Sequence, residues 1–339
     1  MSEFRREPVT GRWVIIAEEK GRDAFFTPEE PLEDKSPCPF CSGNEALTPP
    51  EIIAYREEGT RPNEPGWWTR VFANKFPILN IEGDLNKRGI GLFDIMDGIG
   101  AHEIIVETPD HSKALFDLRD HELEKVFWAY RDRILDLRRD PRLKYVLIFK
   151  NHGRAAGARI PHAHSQLIAL PVIPKAVQEE LSGAGNYFRL KERCIFCDVI
   201  RQEVEQGERL VLENKNLLAY VPFAARFPYE IWILPKQHRH CFTESTKEEM
   251  IDLGRILRDV LSRLSLALKN PSFNYLLHGA PYLSSDDKEF HQIQTGYHWH
   301  LEIVPRLLRV AGFEWGTGFY VNPVSPERAA AQLRELPKP

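Results

Sequence analysis

A chain of 339 residues is too long for one ordinary single-core domain and suits two of typical size. Its 42% hydrophobic, 11% aromatic and 28% charged residues describe a folded globular protein and exclude a disordered or fibrous one. A net charge of -4 without a basic stripe argues against a nucleic-acid partner, and no apolar run approaches the roughly 18 residues that span a bilayer, so no membrane partner is expected. The N-terminus, Met1 to Glu7, lacks the apolar core of a secretory signal, and a cytoplasmic location is expected.

In chain order, the first landmark is a C-x-x-C unit, Cys38-Pro39-Phe40-Cys41. A Pro/Gly-rich loop over 58–68 follows, then Phe72-Ala73-Asn74-Lys75-Phe76-Pro77, then Glu103-Ile104 in a stretch ending at Pro109-Asp110-His111. Leu123, Val126, Phe127, Tyr130, Ile134 and Leu137 recur at helical spacing. An apolar strand from Tyr145 ends in His152-Gly153, and an H-x-H strand, His162-Ala163-His164, closes the series. The stretch from Pro171 to Gly185 reads as a connection.

The same landmarks then recur. Cys194-Ile195-Phe196-Cys197 is followed by Phe223-Ala224-Ala225-Arg226-Phe227-Pro228, and Glu230-Ile231 by His238 at the same spacing that separates Glu103 from His111. A second helix carries Met250, Leu253, Ile256, Leu257, Val260, Leu261 and Leu264, opened by a capping-box pattern of Ser245 with Glu248. Tyr275 to Leu277 leads to His278-Gly279, and His298-Trp299-His300 is the second H-x-H. The chain is therefore expected to be an α+β protein of two duplicated halves, 1–185 and 186–339. Alternation puts both histidines of each H-x-H on one face.

Five cysteines in such a chain do not suggest a disulfide framework. A C-x-x-C turn supplies two thiolates, and zinc asks for two further nitrogen or sulfur donors. The first half offers Cys38, Cys41, His111 and His162; the second offers Cys194, Cys197, His238 and His298, with His240, Cys241, His291 and His300 as competing donors. Two zinc ions per chain are expected.

His164 lies two residues past the expected ligand His162, so one imidazole can hold metal while its neighbour carries chemistry. A neutral imidazole attacks phosphorus well and then leaves, which suits a carrier of a nucleotidyl group. Gln166 can donate to a phosphate oxygen without adding charge, whereas Glu302 at the matching place would repel an anion. Chemistry is thus expected in the first half. The small-residue loop Gly153 to Gly157 could bring backbone N–H groups to a diphosphate, with Arg154 and Arg159 adding charge-assisted bonds.

The segment Asn151-His152-Gly153-Arg154-Ala155-Ala156-Gly157-Ala158-Arg159-Ile160-Pro161-His162-Ala163-His164-Ser165-Gln166 resembles the active-site signature of the galactose-1-phosphate uridylyltransferases, the transferase branch of the histidine-triad superfamily. Thr10 to Trp13, Pro109 to Ser112 and Gly312-Phe313-Glu314 also resemble family segments. The resemblance implies two half-barrel sheets with helices, and a homodimer whose active sites are each completed by the other subunit. It implies that His164 is the nucleophile and Gln166 a phosphate ligand, with Asn74, Asn151 and Gly157 contacting the nucleotide and Glu314 the hexose. Glu180 stands where some members place a carboxylate metal ligand. Departures include Ala163 between the two histidines, where the family has Pro, Arg159 at a usually small position, and only Lys20 and Arg22 where arginines are expected. The tail from Phe313 to Asn322 and the second cysteine pair are similar to members related to plant ADP-glucose phosphorylase. The implied partners are a nucleotide sugar and a sugar 1-phosphate. The implied reaction is UDP-glucose:galactose-1-phosphate uridylyl transfer, with ADP-glucose and phosphate as the alternative pair; a non-enzymatic zinc- or nucleotide-binding module, which would form no covalent adduct, is the further alternative.

Overall fold

A computed structural model describes residues 2–18, 32, 37–283 and 290–337; Lys20 and Arg22 lie outside the described residues. In chain order the elements are β1 (Glu3–Arg6), β2 (Trp13–Ile16), β3 (Glu51–Arg56), β4 (Trp67–Ala73), β5 (Arg88–Ile90), β6 (Phe93–Ile95), β7 (Ala101–Val106), α1 (Asp120–Leu137), β8 (Tyr145–His152) and β9 (His164–Leu170). Then come α2 (Lys175–Lys191), α3 (Ile195–Gln206), β10 (Leu210–Glu213), β11 (Leu217–Tyr220), β12 (Ile231–Pro235), α4 (Lys247–Leu268) and β13 (Phe273–His278). The chain ends with α5 (Phe290–Gly296), β14 (His300–Pro305), α6 (Gly312–Thr317), β15 (Tyr320–Asn322) and α7 (Pro326–Glu335).

Ten strands form one antiparallel sheet in the order β10-β11-β12-β14-β13-β8-β9-β7-β4-β3. From either edge inward the order is the same: β3-β4-β7-β9-β8 from one side, β10-β11-β12-β14-β13 from the other, meeting where β8 pairs with β13. The sheet stays open, with β3 and β10 as its edges. The fold is thus α+β, built from two duplicated half-barrels. β2 pairs with β1 on one side and with β15 on the other in a small sheet that ties the first residues to the last.

Alternation along the strands sends one set of side chains to each face. Ile105, Ile148 and Leu167 of the first half, and Ile233, Tyr275, Leu301 and Ile303 of the second, pack with the apolar stripes of α1 and α4 in one core. Each such aliphatic side chain contributes about 1.5–3 kcal/mol when buried. At Gly254 of α4 a Cβ would stand 3.1 Å from Cβ of Leu123, so the glycine lets α4 approach α1 closely.

Three local expectations require correction. Residues 171–185 are not merely a connection, because α2 occupies most of them. Its glycines are there for close approach: a Cβ at Gly183 would stand 1.8 Å from the Val9 carbonyl oxygen, and one at Gly185 would stand 2.1 Å from the Gln292 amide. The cap of α4 is Thr246 with Glu249, one residue later than Ser245 with Glu248, since the Ser245 N–H closes a preceding turn on the Phe242 carbonyl.

The repeat is also in a slightly different register. Phe149 pairs with Gln166 and Leu276 with Glu302, so His278 is the counterpart of Asn151 rather than of His152. Likewise Ile104 pairs with Gln166 and Trp232 with Glu302, so Glu230 corresponds to His102 and not to Glu103. The second half has one residue fewer between this strand and the following histidine, which hid the offset.

Candidate active site and metal centres

Cys38, Cys41, His111 and His162 converge, their donor atoms all within 4.8 Å of one another. The Cys41 sulfur lies 3.3 Å from Nδ1 of His111 and 3.6 Å from Nδ1 of His162, and the Cys38 sulfur 3.7 Å from the latter. Nε2 of His162 donates to the Thr108 carbonyl (2.7 Å), which fixes the tautomer that leaves Nδ1 as a donor to metal. Burial lowers the pKa of His162, against the pull of that hydrogen bond, and so favours the neutral ligand form.

Cys194, Cys197, His238 and His298 converge in the same way, again within 4.8 Å. Nε2 of His298 donates to the Pro235 carbonyl (3.0 Å) and Nε2 of His238 to that of Gln294 (2.9 Å), leaving both Nδ1 atoms toward the Cys197 sulfur. The hydrogen bond from Cys194 holds the Cys197 thiol below the usual thiol range, helped by the two histidines and opposed by burial. Both sets have the donor chemistry and outer hydrogen bonds of a tetrahedral nitrogen–sulfur metal centre. Of the competing donors, His240 lies 3.4 Å from Glu244, and His300 joins a third group with Glu180 and His278. There His278 Nδ1 is 3.1 Å from a Glu180 oxygen, while the buried Nε2 of His300 lies 3.9 Å from oxygens of Glu180 and Glu302 and has no hydrogen-bond partner among the described residues. These three residues could hold a metal ion too.

The phenylalanine inside each C-x-x-C packs on both histidines of its H-x-H. Phe40 lies 6.3 Å from the His162 ring and 5.1 Å from that of His164; Phe196 lies 6.2 Å from His298 and 5.3 Å from His300. Both rings therefore sit on one side, as alternation predicts, although β9 and β14 begin only at the second histidine.

His164 opens β9 with 7% of its surface exposed. Its Nδ1 donates to the His162 carbonyl (2.7 Å), which makes Nε2 the nitrogen with the lone pair. Burial, then the nearby Lys150 charge, lower its pKa to about 4, so the ring is neutral at neutral pH. A cavity of about 360 Å³ is lined by Asn151, Gly153 and His164.

On the same face of β9, Gln166 accepts at Oε1 from Nε2 of His102 (3.0 Å). His102 accepts at Nδ1 from the Ile78 N–H (3.3 Å), and Asn74 lies 3.0 Å from its Nε2. The amide N–H2 of Gln166 is thereby the end left for a ligand. His102 had no sequence signal beyond its alternation with Ile104, yet it joins Asn74 to Gln166.

Asn151 accepts from Asn274 (2.8 Å), which also donates to the Ala156 carbonyl (2.9 Å) and so pins the small-residue loop to the sheet. Gly157 has φ +88°, a left-handed conformation that other residues adopt only with strain, so the loop depends on glycine at this point. Arg159 is exposed in the loop. Glu314 is set apart: it caps α6 through the Ala311 N–H (2.9 Å) and does not line the cavity around His164.

In the second half Arg226 folds back between Glu302 (2.5 Å) and Glu230 (3.3 Å), the counterparts of Gln166 and His102. The place that could bind an anion in one half holds an internal ion cluster in the other, where Arg226, Glu302 and His278 line a cavity of about 840 Å³.

Profiles for the N-terminal and C-terminal domains of galactose-1-phosphate uridyl transferase match residues 1–174 and 180–338. The chain belongs to the galactose-1-phosphate uridylyltransferase family. It is 35% identical to an ADP-glucose phosphorylase of Arabidopsis thaliana over 98% of this chain and 93% of that protein. It is 33% identical to a galactose-1-phosphate uridylyltransferase of Thermotoga maritima, over 99% of this chain and 98% of that one. Among solved structures, the Arabidopsis thaliana ADP-glucose phosphorylase with bound ADP-glucose superposes with a TM-score of 0.83 at 34% identity, covering 99% of this chain and 100% of that one. Among the described residues of this family member, no helix is long and apolar enough to cross a membrane.

Proposed function

We propose that this chain transfers a uridylyl group between UDP-glucose and a hexose 1-phosphate, galactose 1-phosphate above all, through a covalent nucleotidyl-His164. The supporting observation is the pairing of a buried neutral imidazole with an amide whose orientation is set. Nε2 of His164 attacks the α-phosphorus, the bond from that phosphorus to the bridging oxygen breaks, and glucose 1-phosphate leaves. A phosphate oxygen of the incoming sugar 1-phosphate then attacks the same phosphorus and frees the imidazole. Gln166, its carbonyl held by His102, donates to a nonbridging oxygen as charge develops there. Asn74, Asn151, Gly157 and Arg159 contact the nucleotide. The experiment is to mix the protein with UDP-glucose and read the intact mass: one uridylyl group must appear on wild type and none on His164→Gly.

A second reading keeps His164 but takes ADP-glucose and inorganic phosphate. The 35% identity with the Arabidopsis thaliana ADP-glucose phosphorylase favours it. The same experiment with ADP-glucose separates the two, since only one base should load rapidly at low concentration.

Residues 1–185 form the catalytic unit in this reading and 186–339 its duplicate, each with one zinc ion. Zinc bound to Cys38, Cys41, His111 and His162, and to Cys194, Cys197, His238 and His298, supplies fold stability. The active unit is a cytoplasmic homodimer in which the second subunit completes each site and Glu314 contacts the hexose. The engagement of Glu314 outside the His164 cavity supports that arrangement. Sedimentation and metal analysis test these points, with a dimer and two zinc ions per chain expected.

A further inference from the structure

Behind the strand that carries His164, on the core face, lies a buried polar cluster that the proposed reaction does not use. Lys150 of β8 is 2% exposed and Glu107, just past β7, is 1% exposed. The Lys150 ammonium donates to Glu107 (2.6 Å) and to the backbone carbonyl of His164 itself (3.0 Å). Ser165 donates to the other Glu107 oxygen, and the hydroxyls of Tyr130 and Tyr275 close the cluster around Ser165. The Glu107 N–H also donates to the Ala163 carbonyl (3.1 Å), so peptides on both sides of the nucleophile are held.

Burying a lysine and a glutamate costs several kcal/mol per ion, and an apolar pair of similar size is often at least as stable. The duplicated half shows that this fold does not need the charges. By the strand register Lys150 corresponds to Leu277, Ser165 to Leu301 and Tyr275 to Ile148, all buried in the common core. Among the described residues, the polar cluster occurs only behind the histidine with a neutral glutamine beside it.

We propose that Lys150 and Glu107, with Ser165, Tyr130 and Tyr275, are positioning residues that lock the His164 peptide so that Nε2 points along the line of attack on phosphorus. This rests on His164 being the nucleophile. The His164 ring hangs from its own backbone and is steered by the neighbouring His162 carbonyl, so a rotation of that peptide is carried directly to Nε2. A misplacement of about 1 Å at a reacting atom can cost about 100-fold in rate.

The test compares wild type with the double variant Lys150→Met/Glu107→Gln, which removes both charges together, and with Ser165→Ala and Tyr275→Phe, which remove single hydroxyls. Leu277→Ala serves as a destabilised control in the second half. Single-turnover formation of the nucleotidyl-histidine at saturating UDP-glucose and at saturating ADP-glucose is read beside nucleotide-sugar affinity and thermal melting. The double variant should form adduct about 10- to 100-fold more slowly with affinity unchanged. Each hydroxyl variant should be slower by a smaller factor, while Leu277→Ala melts earlier but reacts at the wild-type rate. A folded double variant reacting as fast as wild type overturns the proposal. Should that variant not fold, wild-type rates in both hydroxyl variants overturn it. If wild type itself forms no adduct with either sugar nucleotide, the nucleophile reading fails first and this inference with it; adduct in wild type with equal rates in all variants defeats this inference alone.

Discussion

The two halves share strand order, cysteine knuckles and paired histidines, yet they treat negative charge in opposite ways. Beside His164 stands Gln166, oriented by His102. Beside His300 stand Glu302 and Glu230, and Arg226 is spent between them. A carboxylate facing the anion site would repel a phosphate in a partly desolvated pocket, whereas an amide donates without that penalty. On the proposed function, metal-ligand geometry is duplicated without duplicating chemistry: the knuckle serves the fold, and two side chains on the next strands decide whether an anion is accepted.

The largest expected contrast is between the two strand histidines. His164→Gly should lower the single-turnover rate of adduct formation by at least about 1,000-fold while leaving the folded protein intact, since a covalent step has no substitute nucleophile. His300→Asn should stay within about threefold of wild type by the same assay, because a residue outside the reacting pair removes no transition-state interaction. A loss of similar size at both positions would erase the proposed asymmetry.

At Gln166 the expected loss is about 100-fold for Gln166→Ala, equivalent to about 3 kcal/mol of transition-state stabilisation. Gln166→Glu should be slower still, reproducing the charge of the second half inside the first. Rapid-quench rates at saturating nucleotide sugar check this, and equal rates in all three proteins would remove Gln166 from the chemistry.

Much of this was legible in the sequence, for identifiable reasons. Zinc-type donors come in short fixed spacings, so Cys38 with Cys41 and His162 with His164 announce themselves, and the repeat tells which distant histidines to add. His102 was missed because its partners Gln166, Asn74 and Ile78 come from another strand and a loop. Lys150 and Glu107 were missed because a buried ion pair spread over two strands leaves no local pattern. The α2 helix was hidden by Pro171 and Pro174 at its start and by Gly183 and Gly185 within it. Those glycines answer to packing against Val9 and Gln292, which no local reading contains.

The metal knuckles should respond alike in both halves. Cys38→Ser and Cys194→Ser should each reduce the zinc content from two to one per chain, measured by elemental analysis of the purified protein. Each should melt earlier, because structural zinc binding energy, of order 10 kcal/mol, is available only to the folded chain. If the protein retains its melting temperature after both ions are removed, the clusters do not stabilise the fold.

The smallest expected effect concerns the helix starts. Glu122 reaches back to the Arg119 N–H (2.8 Å) at the start of α1, as Glu249 does to Thr246 (2.7 Å) in α4. Glu122→Gln and Glu249→Gln should each cost about 0.5–1 kcal/mol in denaturant unfolding and leave adduct formation unchanged. A change in rate with either would tie helix ends to the site.

The central claim, that His164 alone carries the nucleotidyl group, is tested most directly by intact-mass measurement followed by peptide mapping after brief mixing with UDP-glucose and, separately, ADP-glucose. The account predicts one nucleoside monophosphate per chain on the peptide containing His164, lost when a sugar 1-phosphate is added for the uridylyl form or inorganic phosphate for the adenylyl form. An adduct on the peptide containing His300, or turnover with no adduct on either histidine, would contradict it.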